Sequence, residues 1–364
     1  MRSPSIHAIY ISAKINGKSR VQNIDLSSLL NQELAQSIKK TSVQFENIVS
    51  IVDTDFRKVN EVILDQLHSK VPFVRTVGEY LINSGGKRLR PLVALLAAKS
   101  FNYEGEQHLH IATIIEFLHT ATLLHDDVVD GSRLRRGKPS ANALWGNASS
   151  VLVGDFLISR AFQMIVGLKN LRAMEILSNA TNVIAEGEVL QLLNCKNPQA
   201  TEEQYMRVIY CKTAKMFEAS TQIGAVIAEA SNEQEEAIMQ YGKHLGIAFQ
   251  IQDDILDYTG DAQILGKNVG DDFAEGKLTL PVIFAMQHTE KEDQIFLRTA
   301  ILAGGTDNID KVIMILNTSG AIDYCYNAAQ QEVAQAKHHL SCLPQNKYTQ
   351  CLADLADLSI ARKN

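Results

Sequence analysis

The fold is decided by two stretches of similar character, EFLHTATLLHDDVVD at residues 116–130 and AFQIQDDILDY at residues 248–258. Each places apolar side chains three and four positions apart, the spacing that puts them on one face of an α-helix. Each also contains a DDxxD motif, and the six aspartates are Asp126, Asp127, Asp130, Asp253, Asp254 and Asp257. The sequence therefore predicts two long helices that carry clustered carboxylates.

Helical periodicity continues through most of the chain from about residue 43. It predicts long helices over 43–67, 107–130, 150–167, 172–195, 202–230 and 233–258. Thr201, followed by Glu202 and Glu203, is typical of a helix start, because a hydroxyl caps the first N–H groups and acids favour the first turn. Strand patterns joined by Asn-Gly turns are absent from the sequence. We therefore predict an all-α fold, with one large helical bundle over residues 43–364.

Composition excludes several classes of protein. The 364 residues are 46% apolar and 21% charged, the balance of a soluble globular protein. A net charge of −6 argues against a nucleic-acid partner. Five scattered cysteines without a CxxC pair indicate reduced thiols and no zinc site. No apolar run approaches the roughly 18–20 residues of a membrane span, so we predict no transmembrane segment.

Residues 1–42 differ in composition from the rest. They hold six basic and two acidic residues and many serines. One interpretation is a disordered upstream extension, which leaves a cytoplasmic protein. The other is an organelle transit peptide, because such peptides are basic, rich in serine and poor in acids; the protein would then be mitochondrial.

The two DDxxD motifs predict a metal site. Residues four apart lie on one face of a helix, so Asp126 and Asp130 point the same way, as do Asp253 and Asp257. Clustered carboxylates repel one another unless a cation compensates. Mg²⁺ typically binds one or two carboxylates together with substrate phosphates. A solvated acidic face is the alternative, but the motif occurs twice and has apolar flanks.

Basic residues recur around the motifs. GGKRLRP at 85–91 combines two glycines and three cations, although it lacks the spacing of a P-loop. His119 lies seven residues before Asp126, on about the same helical stripe, although a lone histidine can simply be part of the core. The cations singled out by position are Lys87, Arg90, Arg135, Arg136, Lys212, Lys267 and Lys277. They predict anion binding, whereas the alternative is a set of surface or loop cations paired with nearby aspartates.

In these segments the chain resembles the trans (all-E) polyprenyl diphosphate synthases. The other segments that carry the resemblance are RRGKPSAN at 135–142, SVLVGDF at 150–156, VIAEGEVLQL at 183–192, YCKTAKMFEA at 210–219 and LGKNVGDDFAEGK at 265–277. It extends from about residue 43 to the C-terminus. It implies an all-α isoprenoid synthase fold with a central cavity, usually as a homodimer.

The resemblance also implies an activity. An allylic diphosphate, expected to be farnesyl diphosphate, would be condensed with successive isopentenyl diphosphates through ionisation, condensation and proton loss. Bacterial family members that make the eight-unit octaprenyl (C40) product are the most similar, so we expect a long-chain all-trans product for a quinone side chain. Up to three Mg²⁺ ions would bind per site with substrate. Transient membrane contact is expected for product release.

Residue roles follow from the resemblance position by position. The six aspartates would form the Mg²⁺ site: Asp126 and Asp130 would coordinate with Asp127 in support, and Asp253 would coordinate with Asp254 and Asp257 nearby. Isopentenyl diphosphate would be bound by Lys87, Arg90, His119 and Arg136. The allylic diphosphate would be bound by Arg135, Lys212, Lys267 and Lys277, and the catalytic groups would be Lys212, Thr213 and Gln250.

Product length should depend on the residues that precede the first motif on the same predicted helix. Ala121 and Thr122 are small, whereas family members that stop early carry bulky aromatic residues in this region. One helical turn rises about 5.4 Å, comparable to one isoprene unit. Met164 and Ile165 are candidates for the floor, with ordinary core packing as the alternative. Ala121→Tyr is expected to shorten the product to roughly three or four isoprene units on this spacing.

Two other functions fit parts of the pattern. A terpene cyclase also uses DDxxD on an all-α fold, but it would carry a different second metal motif. A non-catalytic subunit that regulates a partner synthase should have lost aspartates, and this chain keeps all six.

Overall fold

The computed structural model describes residues 41–82, 86–135, 137–260 and 269–361. The helices are α1 (41–51), α2 (Asp53–Gln66), α3 (Pro72–Ile82), α4 (Leu89–Ser100), α5 (Gln107–Val129), α6 (Ala141–Trp145), α7 (Asn147–Gly167), α8 (Leu171–Asn194), α9 (Glu202–Ile209), α10 (Lys215–Ile227), α11 (Asn232–Thr259), α12 (Asp271–Ala274), α13 (Leu280–His288), α14 (Lys291–Ala303), α15 (Ile309–Thr318), α16 (Ala321–His339) and α17 (Lys347–Ala361). A π-helical turn, Tyr210–Ala214, joins α9 to α10. Two short strands, β1 (Leu134–Arg135) and β2 (Lys138–Pro139), pair antiparallel.

Helix α4 forms the centre of the bundle. All seven residues from Leu92 to Ala98 are buried. A helix that is apolar on every side must be covered on every side, and α4 is packed between α5, α10 and α17. Burial of each large side chain, such as Leu92 or Leu96, contributes about 1.5–3 kcal/mol.

Of the two helices that carry the aspartate motifs, α5 packs against α4, and α11 packs against α10. Helix α5 packs along α7, and α11 packs along α10 and α16. Both motifs lie at carboxyl-terminal ends, because α5 ends at Val129 and α11 ends at Thr259. A second, smaller apolar cluster, which includes Tyr258, Phe273 and Val282, packs the end of α11 against the following helices. This cluster joins the end of α11 to α12 and α13.

Most of the predicted helices are confirmed, with three differences. The helix predicted over 43–67 is interrupted by a turn at Val52. The helix predicted over 202–230 contains the π-helical turn and stops at Ile227. The β1–β2 hairpin was not predicted, because two-residue strands are too short to show an alternating pattern. Thr201 starts α9 as predicted, and its side chain forms a reciprocal cap with Gln204.

Two predictions concern regions at the limits of the fold. The predicted extension, residues 1–42, lies outside the described residues except for Thr41 and Ser42, which belong to α1, so the domain boundary stays a prediction. One helix in the described part of the chain, α7, is long and apolar enough to cross a membrane by those two criteria. It packs along α5, and 39% of its apolar stretch is buried inside the chain, so the prediction of no transmembrane segment stays a prediction.

Candidate active site

The structure brings the two aspartate motifs together at one cavity of about 310 Å³. Asp126 and Asp130 line it from α5, and Asp253 and Asp254 line it from α11. The wall also includes Arg135, Gln191, Lys212, Thr213, Gln250, Asp272 and Lys277. Carboxylates from two helices therefore share one space with cationic side chains.

In the first motif, Asp126 and Asp130 each face an ammonium group. Lys212 Nζ lies 3.6 Å from Asp126 Oδ2, and Lys277 Nζ lies 2.8 Å from Asp130 Oδ2. Burial raises the pKa of the Asp126 carboxyl, Lys212 opposes this effect, and the neighbouring Asp130 raises the pKa further. A cation bound between these carboxylates would offset both the energetic cost of burying their charges and their mutual repulsion.

Asp127, which was predicted to support the metal site, contacts protein groups. Asp127 is fully buried, and the Arg135 guanidinium donates to both of its carboxylate oxygens at 2.7–3.0 Å. Its backbone carbonyl accepts a bond from Asn142 Nδ2 at 2.9 Å. Asp127 therefore holds the side chain of Arg135, which borders the cavity. Its backbone carbonyl also links the end of α5 to Asn142 on α6.

The second motif divides in a similar way. Asp253 lines the cavity. Asp254 also borders it, but its Oδ2 accepts from the Tyr205 hydroxyl at 2.6 Å and its Oδ1 accepts from Gln250 Nε2 at 2.8 Å. Asp257 is fully buried, and its Oδ2 accepts from the backbone N–H of Asp272 at 3.2 Å. Of the motif aspartates that line the cavity, Asp254 has both oxygens held by protein groups, and the metal-binding role of all six aspartates stays a prediction.

The π-helical turn explains how Lys212 and Thr213 reach the cavity. It inserts one residue into the α9–α10 helix, a feature that often accompanies functional sites. Two glycines leave space for it: a Cβ on Gly187 would lie 2.7 Å from Cys211 Cβ, and one on Gly246 would lie 2.5 Å from Ala214 Cα. Tight approach of α8 and α11 thus sets the positions of Lys212 and Thr213.

Gly246→Ala is expected to destabilise the fold by about 1–3 kcal/mol, because the new methyl group forces α11 away from the π-helical turn. Urea unfolding measures this change. Gly167→Ala is the matched control, because a Cβ there meets nothing within 4 Å. An equal loss in both variants would contradict the packing argument.

Two acidic residues near the π-helical turn were not predicted. Lys212 Nζ also lies 2.6 Å from Glu188 Oε2, and burial raises the pKa of the Glu188 carboxyl. Asp272 lines the cavity from α12. Both lie in segments that carry the family resemblance, VIAEGEVLQL and LGKNVGDDFAEGK. Their contacts join helices that are distant in the sequence, so no local pattern indicates them. The only signal in the sequence was the family resemblance of these two segments.

The segment that carries Lys277 is held by the end of α8. Cys195 Sγ donates to the Glu275 carbonyl at 3.1 Å, and the backbone N–H of Lys196 donates to the Gly276 carbonyl at 2.8 Å. Burial lowers the pKa of Lys277, but the ion pairs with Asp130 and Glu275 outweigh burial and raise it. Lys277 therefore remains charged beside the first motif.

A second basic group lies at the start of α4. Arg90 Nη1 is 3.2 Å from His119 Nε2, and the Arg90 guanidinium lies 4.8 Å from the Phe217 ring centroid. Lys87 lies 5.9 Å from the ring centroid of Phe45. The structure thus brings Arg90 and His119 together, as predicted. Arg136 and Lys267 lie outside the described residues.

An apolar cavity of about 290 Å³ continues from the first motif. Leu118 and Thr122 line it from α5, together with Ile158, Ile184 and Met216 from neighbouring helices. Among the described residues, those that line this cavity do not include Ala121, Met164 or Ile165, which are packed in the core. Of the four residues predicted to affect product length, Thr122 lines this cavity, and its other walls come from residues that were not among the four.

A helical bundle in which two carboxylate-bearing helix ends face one polar cavity, with an apolar cavity directly beneath, defines an all-α isoprenoid synthase. The model of the polyprenyl synthetase family matches residues 71–318, and the chain belongs to that family. It is therefore a trans-prenyltransferase that makes long-chain polyprenyl diphosphate. The predicted fold class, family and enzymatic activity are confirmed.

Individual relatives agree with this assignment. The chain is 48% identical to octaprenyl diphosphate synthase of Haemophilus influenzae over 325 aligned residues. The alignment covers 89% of this chain and 99% of the relative. A decaprenyl diphosphate synthase structure from Rhodobacter capsulatus matches with a TM-score of 0.83 and 44% identity, covering 87% and 98% of the two chains. A Caulobacter crescentus polyprenyl synthase structure, complexed with calcium and isoprenyl diphosphate, matches with a TM-score of 0.85 and 41% identity, covering 88% and 98%.

Proposed function

We propose that this protein elongates farnesyl diphosphate with successive isopentenyl diphosphates to all-trans octaprenyl (C40) diphosphate. The observation that carries the proposal is the junction of two cavities. Asp126 and Asp130 border both the polar cavity, with its lysines, and the apolar cavity beneath it. A charged diphosphate and a hydrocarbon tail can thus be bound end to end. The 48% identity to an octaprenyl diphosphate synthase supports the C40 product.

We also propose that Mg²⁺ is the metal. In the described part of the chain, no three His, Cys, Asp or Glu side chains are grouped so as to hold a metal by themselves. That fits Mg²⁺, which commonly takes one or two carboxylates and completes its shell with phosphate oxygens and water. Asp126, Asp130 and Asp253 would hold up to three ions with substrate. When bound, Mg²⁺ neutralises charge that develops on the departing diphosphate.

The chain's own residues bind and orient the substrates. Lys212 and Lys277, which now pair with Asp126 and Asp130, are placed to donate to the allylic diphosphate. Arg90 and His119, which lie in contact, would bind isopentenyl diphosphate together with Lys87, as the family resemblance implies. These two groups would hold both substrates close enough for the condensation to become effectively intramolecular.

The reaction begins when the allylic C–O bond breaks and diphosphate leaves with the electron pair. The double bond of isopentenyl diphosphate then attacks the allylic cation, and a proton is lost to the released diphosphate. The Gln250 and Thr213 side chains face the cavity and supply fixed dipoles beside the cation. The lengthened tail enters the apolar cavity, and the product can react again.

The activity is tested by incubating the purified chain with farnesyl diphosphate, isopentenyl diphosphate and Mg²⁺, followed by mass analysis of the product. We expect octaprenyl diphosphate as the major product. A C45 or C50 product would overturn the C40 assignment alone. No elongation by a folded protein would overturn the proposal.

We further propose a homodimer, as the family resemblance implies. Apolar side chains are exposed on adjacent helices, with Leu152 67% exposed on α7 and Val189 and Leu193 56% and 72% exposed on α8. Contiguous exposed apolar surface is typical of a protein interface. A second copy of the chain that covers α7 and α8 would bury it.

Leu193→Glu is expected to convert the dimer to a monomer, because it places a charge in the apolar interface. Sedimentation velocity measures the change in mass. Ile295→Glu on α14 is the control, because Ile295 is similarly exposed, at 67%, on another helix. A dimer that withstands the change at Leu193, or that is lost equally with the change at Ile295, would refute this interface.

Finally, we propose that the product supplies a quinone side chain and that the enzyme acts in the cytoplasm, touching the membrane transiently to release product. The family resemblance supports this proposal. Import of the full chain into mitochondria, measured by fractionation, would instead support a transit peptide in residues 1–42.

A further inference from the structure

Tyr205 is a buried tyrosine that neither motif includes, yet it borders the polar cavity. Its hydroxyl donates to Asp254 Oδ2 at 2.6 Å across 49 positions of sequence. A carboxylate oxygen accepts, so the tyrosine hydroxyl is the donor in this bond. Tyr205 thus fixes one oxygen of the Asp254 carboxylate.

The other oxygen of Asp254 fixes Gln250. Gln250 Nε2 donates to Asp254 Oδ1 at 2.8 Å, one helical turn away on α11. On the opposite side, Gln250 Oε1 accepts from the Thr213 hydroxyl at 2.8 Å. A reversed amide would place Oε1 against a carboxylate oxygen, and two acceptors repel each other. The carboxylate therefore determines which end of the amide faces Thr213.

We propose that Tyr205 is a positioning residue for prenyl transfer, which acts through Asp254 to hold the Gln250 carbonyl oxygen toward the site where the allylic cation forms. This inference rests on the proposed function. A carbonyl oxygen held in place stabilises positive charge without reorganisation, whereas the amide –NH₂ group in its place would oppose that charge. Because the cation exists only after the C–O bond breaks, the orientation affects the transition state more than substrate binding.

Tyr205→Phe tests the proposal, because it removes only the hydroxyl. We expect kcat to fall roughly 10- to 100-fold, the range found when a supporting hydrogen bond behind a functional group is lost. KM for both substrates should change less than about twofold, as expected when only the transition state loses an interaction. An unchanged kcat, or a loss confined to KM, would overturn the proposal.

The matched control is Tyr241→Phe on the same helix as Gln250. Tyr241 is fully buried, and its hydroxyl donates to the Leu352 carbonyl at 2.8 Å. It lies thirteen positions before Asp254, roughly 20 Å along the helix at 1.5 Å per residue. Both variants lose one buried hydroxyl bond, so both should lower the melting temperature similarly. If Tyr241→Phe lowers kcat as much as Tyr205→Phe does, the effect is general destabilisation and the proposal fails.

A double-mutant cycle shows whether Tyr205 acts through the amide. In a Gln250→Leu background, Tyr205→Phe should change kcat by less than about twofold, because no carbonyl remains to be oriented. A full additional loss in that background would overturn the proposal. Failure of the wild-type chain to elongate farnesyl diphosphate would instead refute the proposed function.

Asp254→Asn provides a second variant should Tyr205→Phe not fold. Its side-chain amide no longer enforces the orientation of Gln250, so kcat should fall while Mn²⁺ binding with inorganic diphosphate stays within about twofold of wild type. Loss of Mn²⁺ binding in Asp254→Asn would make Asp254 a metal ligand and overturn the positioning role.

Discussion

Asp126→Asn is expected to lower kcat for prenyl transfer by about a thousandfold, the upper range for loss of one preorganised charge-stabilising group. Asp126 lines both cavities, and we propose that it holds Mg²⁺ against the departing diphosphate. An amide keeps the shape of the carboxylate but removes the charge that binds the metal. Added Mg²⁺ should not restore the rate, which steady-state kinetics at increasing Mg²⁺ can establish.

The fold should withstand this substitution. Burial raises the pKa of Asp126, so the charged carboxylate is disfavoured at this position, and Lys212 keeps Glu188 as a partner. The free energy of unfolding should therefore not fall. Asp357→Asn is the control, because it removes a surface carboxylate that pairs with Lys337 far from the motifs. A kcat within tenfold of wild type for Asp126→Asn would contradict its assignment as a metal ligand.

Thr122→Tyr is expected to shorten the product from eight isoprene units to roughly three or four. Thr122 lines the apolar cavity one helical turn below Asp126, and a turn rises about 5.4 Å, close to one isoprene unit. A tyrosine ring there would block the tail soon after it enters. Mass analysis of the products measures the change.

Met164→Ala separates the two accounts of the cavity floor. The sequence-based account expects a longer product, because Met164 would form the floor. The structure places Met164 in the core and outside the residues described as lining the cavity, so the product should keep its length. An unchanged product from Thr122→Tyr, or a longer one from Met164→Ala, would show that this cavity does not hold the tail.

Local patterns were enough to predict much of this molecule. Apolar spacing predicted α5 and α11, and the hydroxyl and acids at Thr201 predicted the start of α9. Helical geometry alone also placed Asp126 and Asp130 on one face, and both line the cavity. These features depend on residues within one or two turns of each other, which is the range over which sequence patterns are informative.

Other features depend on contacts between distant residues. Asp127 and Asp254 match the motif as well as their neighbours do, but the structure pairs them with Arg135 and Tyr205, which the motif does not indicate. The π-helical turn leaves no periodic signature, because it arises where two glycines on other helices allow close approach. The walls of the apolar cavity could not be predicted for the same reason, since helical spacing before the first motif does not show which neighbouring helix supplies them.

The central claim is that both aspartate motifs hold one diphosphate through shared metal ions. It is tested most directly by a crystal structure with Mn²⁺ and inorganic diphosphate, in which anomalous scattering locates the metal. The account predicts Mn²⁺ ions in one cavity that contact diphosphate, with oxygens of Asp126 or Asp130 and of Asp253 within about 2.5 Å. Diphosphate bound without metal, or Mn²⁺ confined to one motif, would contradict it.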